Sequence, residues 1–184
     1  MTIPGPARIE PLADDQLPDW MRDGPAILRV NIMKTLAHHP DLLKPWNRFA
    51  GHVMGYTSTL NGREREILIL RTGWNHQSDY EWGQHVIIGR RSGLSDDEIM
   101  AIATWPKGGA WTEQETLLLT AADELYNDSQ IGDATWAALR KHYDEKQMLD
   151  IVFAVGQYTL VCYTLKSARV QLDEGVGGLP DLKG

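Results

Sequence analysis

The chain has 184 residues, 42% of them hydrophobic and 23% charged, which suits one globular domain with a sizeable core. Eighteen Lys+Arg against 25 Asp+Glu leave a formal charge of −7, so the basic surface that nucleic acid or anionic membrane would select is missing. The single cysteine, Cys162, excludes an intrachain disulfide and a dithiol redox pair. Residues 1–20 hold four prolines and four acidic residues and no leader-like apolar stretch. The most apolar run, 148–165, is interrupted by Asp150 and Gln157 and does not read as a membrane span. These features predict a reduced, soluble, cytoplasmic protein.

In chain order, residues 1–20 are too proline-rich for regular structure and read as an extended arm. Ile27, Val30, Ile32, Met33 and Leu36 then form a helical stripe that stops at His38-His39-Pro40. Those two imidazoles are expected to cover the last carbonyls of that helix. A second helical segment runs from about 41 to 57, and Asn61-Gly62 reads as a turn. A further helix spans about 63–76. Capping pairs then mark four starts: Ser78…Glu81, Ser95…Glu98, Thr112…Glu115 and Asp144…Gln147, with Asp133 as a simple cap. No alternating strands or hairpin turns occur. The reading is a single all-α domain of seven or eight helices over 21–174, followed by a flexible glycine-rich tail, 175–184.

Chemistry concentrates between Glu66 and His85. Glu81 and His85 stand four apart and share a helix face, where a carboxylate sets the tautomer of an imidazole and raises its pKa. Glu66 lies on the preceding helix, and antiparallel packing of the two would bring it back toward the pair. The same spacing also occurs in ordinary surface helix pairs. Glu66, Glu81, His85 and His76 are acceptable metal ligands too, although Glu-x-x-x-His is not among the strong metal motifs. Arg71 is placed as an anion clamp, with Arg63 and Arg65 as weaker ones in a charged first turn. Trp74 and Trp82 could line an aromatic pocket. Tyr80 adjoins the site in sequence, but on a helix it points about 100° from Glu81.

The stretch LNGREREILILRTGWNHQSDYEWGQHVIIGRRSGLSDDEI, with flanking ILRVNIMKTLAHHPDLL and TEQETLLLTAADELYND, resembles the carboxymuconolactone decarboxylase family, which includes the alkylhydroperoxidase (AhpD)-like proteins. The resemblance covers about residues 25–172. The peroxidase branch has a Glu, eleven residues, then Cys-x-x-Cys-x-x-x-His. Glu66 and His85 fit its Glu and His, while Ser78 and Glu81 stand at the two cysteine places. Neither can attack an O–O bond as a thiolate, and Cys162, in an apolar helix, reads as inert core.

The resemblance therefore implies the decarboxylase side of the family: a cofactor-free, metal-free acid–base lyase acting on a small unsaturated or aromatic-derived carboxylic acid or lactone. His85 is the implied proton donor, Glu81 its orienting partner and Glu66 a second carboxylate, with Arg71, Trp74, Trp82 and Tyr80 around the substrate. A homo-oligomer (dimer, trimer or hexamer) is implied as well. The residues leave open a hydratase or isomerase at the same site, a metal-dependent enzyme, a family member without dithiol activity, and a non-catalytic oligomeric binding module.

Overall fold

The computed structural model describes residues 5–182, and these form nine α-helices and no strand. In order they are α1 Asp19–Arg22, α2 Asn31–Leu36, α3 Pro40–Gly51, α4 Gly62–Asn75, α5 Asp79–Arg91, α6 Asp96–Thr104, α7 Glu113–Asp128, α8 Asp133–Leu139 and α9 Glu145–Ala168. Helix α4 is the axis of the domain: every residue from Arg65 to Gly73 is buried. It packs against α5, α6, α7 and α9. A helix buried all round needs apolar residues on every face, and Ile67, Leu68, Ile69 and Leu70 supply them. Helix α9 satisfies length and hydropathy for a membrane span, but more than half of its apolar window is buried inside the domain, as expected of a core helix.

Local chemistry sets most of the helix starts. Ser95, Thr112 and Asp144 each accept from the backbone amide three residues on, and the side chain there bonds back. Such a cap is worth about 1 kcal/mol. Asn61 caps α4 in the same way with Glu64, so the Asn61-Gly62 pair expected as a turn is a helix start. At α8 the cap position belongs to Gly132, with Asp133 inside the first turn.

The stripe from Ile27 to Leu36 is not one helix. Residues Ala26–Arg29 form a 3-10 turn, Val30 is extended (φ −71°, ψ 155°), and α2 starts after it. The break is held from a distance, since Asn31 N donates to Asp173 Oδ1 at 2.9 Å. His39 caps the start of α3 by accepting from Leu42 N, and His38 Nε2 meets the Glu10 carbonyl at 2.9 Å; neither covers the preceding helix end. Helix α3 runs into a π-helical turn, His52–Tyr56, where Gly55 has φ +101°. A Cβ there would lie 2.5 Å from the Arg65 guanidinium, so glycine serves both the backbone sign and the close approach.

Both ends of the described chain are docked. Residues 5–18 lack α-helix, yet Leu17 is buried and Arg8 N donates to the Ala168 carbonyl at 2.8 Å. Of the glycine-rich tail, residues 183 and 184 lie outside the described residues, and the part before them lies across α5: Leu179 N donates to Asp79 Oδ1 at 3.0 Å. Its backbone passes so close to α5 that a Cβ on Gly83 would lie 1.9 Å from the Gly177 carbonyl oxygen. Gly83→Ala should therefore displace residues 176–178 and cost about 1–3 kcal/mol, the usual range for overpacking. Chemical denaturation checks this, with Gly156→Ala, which meets nothing within 4 Å, as the tolerated control.

Candidate active site

Helices α4 and α5 form an antiparallel hairpin across residues 76–78. Gly73 faces Glu81 and Trp82, while Gly89 faces Leu70 and Glu66, so the small residues let the two backbones approach. This pairing brings three side chains into line. His85 Nδ1 lies 2.6 Å from Glu66 Oε2, and His85 Nε2 lies 3.0 Å from Glu81 Oε1. The second contact has ion-pair distance without hydrogen-bond alignment, which leaves Glu81 Oε1 buried and unbonded. Glu66 is fully buried, and its other oxygen accepts from Arg65 Nε at 3.3 Å. The Tyr158 ring packs edge-on against His85 with centroids 4.8 Å apart.

Glu81 sits at the third position of α5, where it was expected to cap back to Ser78. That box does not form. The carboxylate turns toward the buried imidazole one turn further on, a stronger partner than a backbone amide.

Glu81 and His85 open onto a cavity of about 350 Å³, whereas Glu66 does not line it. Its walls come from Pro25 to Met33, the face of α3 with Trp46 and Asn47, the π-turn with Met54, α5, and Gln157, Tyr158 and Val161 of α9. Most of these walls are apolar. Gln157 is buried, and its Oε1 has no hydrogen-bond partner.

Other expected site residues are placed differently. Arg71 is engaged in structure: it grips Asp123 through Nε at 2.6 Å and Nη2 at 2.9 Å, and donates to the Ile102 carbonyl. An anion clamp needs a free fork, and this one is occupied. Trp74 and Trp82 pack edge-on against each other at 5.6 Å, and neither lines the cavity. Tyr80 does line it, but its hydroxyl donates to Asp173 and accepts from Ile32 N, so it braces the wall. Arg63 bridges Glu98 and Glu115. His76 lies apart from the cluster, with Nε2 3.1 Å from Thr159 Oγ1 and its ring against Tyr126 and Tyr163. Among the described residues, no group of three or more His, Cys, Asp or Glu is arranged to hold a metal ion. Cys162 is fully buried, and burial first, then the Glu81 charge, push its thiol pKa up, away from the reactive thiolate.

Sequence reasoning missed Gln157, Tyr158, Trp46 and Met54. Gln157 alone had a visible signal, as an uncharged polar residue inside an otherwise apolar helix.

An all-helical domain with a carboxylate–imidazole line on a central hairpin is AhpD-like in architecture. The AhpD core of an uncharacterized peroxidase-related protein from Ralstonia eutropha JMP134 superposes with a TM-score of 0.82 at 20% identity, covering 92% of this chain and 94% of that one. A variant of the debrominase Bmp8 in complex with 2,3,4-tribromopyrrole gives a TM-score of 0.77 at 13% identity, covering 90% and 91%. The uncharacterized protein YdfG of Bacillus subtilis (strain 168) is 22% identical over 102 residues, 54% of this chain and 69% of that protein. Residues 40–124, which contain the hairpin, match the Carboxymuconolactone decarboxylase family. That match and this fold support a carboxymuconolactone decarboxylase/AhpD-like family member.

The line of charges governs His85. Burial alone pushes the imidazole pKa down, but the charges of Glu66 and Glu81 and the close contacts with both outweigh this and raise it to about 10. His85 is thus an imidazolium at neutral pH. A raised folded-state pKa contributes stability that is fully present below about 6.5, the unfolded value, and is lost as pH rises through about 10. The urea midpoint of the wild type should fall between pH 7 and 10, and His85→Gln should lack this alkaline loss. Nitrogen chemical shifts that show a neutral His85 ring at pH 8 would contradict the charged assignment.

Proposed function

We propose that the protein is a cofactor-free acid–base enzyme that moves a proton on a small molecule held in the cavity beside Glu81 and His85. The observation that supports this reading is the buried Glu66–His85–Glu81 line, which starts in the core and ends at the cavity wall. Glu66 holds Nδ1 at 2.6 Å from the protected side, so the orienting role falls to Glu66. Glu81 is then the carboxylate that meets the substrate, and His85 is the proton store behind it.

In an isomerisation, Glu81 would take a proton from carbon next to a carbonyl, the C–H electron pair moving onto the carbonyl oxygen as an enolate. The same proton, held on Glu81 beside the His85 imidazolium, would return to a different carbon. The decarboxylating lyase implied by the family match uses the second half of this sequence. There the C–C bond electrons form the enolate as CO2 departs, and the pair delivers the proton to carbon. Dithiol peroxidase chemistry has no residues to run on: Ser78 and Glu81 stand at the cysteine places, and Cys162 is shielded.

Loss of His85 should remove most turnover, since a positioned acid–base group contributes about 10²–10⁴-fold. Glu81→Gln should be of similar severity, because an amide cannot accept the proton. Glu66→Gln should cost less, because an amide still holds the ring. The Glu81→Gln/His85→Ala pair should lose no more than the worse single variant, as groups acting as a unit do. Cys162→Ser should retain activity. The assay is exchange of substrate hydrogen for solvent deuterium together with CO2 detection, before and after chelation. Activity that a copurifying metal restores after stripping would overturn the reading.

We also propose that the chain forms a homo-oligomer through α9. Leu149, Phe153, Leu160 and Tyr163 are more than half exposed on one side of this helix. Monomers seldom leave a contiguous apolar stripe in water. Light scattering at micromolar concentration should give a multiple of 20.7 kDa, and Leu160→Glu with Tyr163→Glu should lower it. A monomeric wild type would refute the proposal.

A further inference from the structure

The cavity walls specify what can occupy them. Among the described residues lining the cavity, the only ionisable groups besides the tyrosines are Glu81 and His85, and no Lys or Arg is present. The neighbouring guanidinium, Arg65, is not in the lining and is bonded to Glu66. Proteins recognise a carboxylate by a free cation or a fork of donors, and nothing of this kind faces the space. The imidazolium of His85 does not fill the role, because both its nitrogens already face carboxylates. An incoming anion would lose its water against apolar walls and meet the Glu81 carboxylate.

Two side chains in those walls carry acceptor groups that the protein leaves incompletely bonded. The Oε1 atoms of Glu81 on α5 and Gln157 on α9 have no hydrogen-bond partner, although His85 Nε2 lies 3.0 Å from the first. A carboxylate and an amide in the lining of one apolar cavity favour a ligand that offers them a donor. A cation would supply donors as well, but the Glu81 charge is already matched by His85, and the remaining walls offer no second charge to repay its dehydration.

From these observations we infer that the site takes an uncharged, largely apolar molecule carrying a hydroxyl or N–H group, which donates to Glu81 or Gln157 while its body lies among Trp46, Met54 and Tyr158. The volume, about 350 Å³, is at the small end of ligand pockets. This inference rests on the proton-transfer reading of the same site and replaces the carboxylic acid substrate with a neutral one.

The test uses the full chain and four matched probes: 4-methylphenol, 1,4-dimethylbenzene, 4-methylbenzoate and 4-methylbenzylamine. Binding is followed by the methyl signals of Met33 and Met54, which line the cavity, with the exposed Met100 of α6 as the control. The phenol should shift both cavity methyls and bind at least about tenfold more tightly than the hydrocarbon, as expected when buried acceptors require a donor. The benzoate and the amine should bind more weakly than the phenol. Gln157→Leu should narrow the gap between phenol and hydrocarbon, and Glu81→Gln should recover benzoate binding.

Tighter binding of the benzoate or the amine, equal binding of phenol and hydrocarbon, or no shift by any probe at millimolar concentration would each overturn the inference. The proton-transfer reading fails separately. If neutral donors bind as stated but no substrate hydrogen exchanges with solvent in a wider screen, the ligand class stands and the catalysis does not. If exchange is found only with carboxylates, the reverse holds.

Discussion

A carboxylate sealed in a protein core is costly unless a cation meets it, and Glu66 on the central helix has no access to water. His85 meets it at 2.6 Å from the neighbouring helix, with Arg65 on the other oxygen. This contact constrains much around it. It requires the α4–α5 hairpin to pack closely in one register, which Gly73 and Gly89 permit. It requires the π-turn to leave room for Arg65, which Gly55 permits at φ +101°. It also turns Glu81 away from the helix start, because the charged imidazole is the better partner.

Two further carboxylates hold the cavity walls around that line. Asp150 on α9 accepts from Thr59 N, Ser58 Oγ and Thr59 Oγ1 and lies 2.9 Å from His52 Nε2, so the turn carrying Met54 is tied to the helix carrying Gln157. Burial pushes its carboxyl up, but these bonds outweigh it and hold the pKa lowered. Asp173, beyond α9, joins the α2 amide, the Tyr80 hydroxyl and Gln84, drawing the chain end over the opposite wall. The chemistry sits in a polar line, and the space beside it is kept apolar. That contrast is the basis of the proposed neutral ligand.

The helical content and the candidate catalytic line were legible in the chain because both rest on local spacing. Capping pairs at Ser95, Thr112 and Asp144 act over three residues, and Glu81 and His85 are one turn apart. The failures share one physical cause. Ser78…Glu81 has the same pattern as the true caps, yet a buried partner from another helix took the carboxylate. Arg71 resembled a free clamp until Asp123, 52 residues away, closed on it. The stripe from Ile27 to Leu36 looks continuous, and a carboxylate from residue 173 breaks it.

The sequence by itself determined an all-helical domain without dithiol chemistry, with a glutamate and a histidine one turn apart. Its pattern also placed Glu66 on the helix before them. Tertiary structure decided which carboxylate is sealed behind the ring and which lines the cavity, since that depends on the side of His85 each approaches. It also decided the electrostatic character of the cavity, whose walls are collected from α2, α3, α5, α9 and two connecting segments. Spacing reports neighbours within a helix; a cavity is lined by residues far apart in the chain, and only packing brings them together.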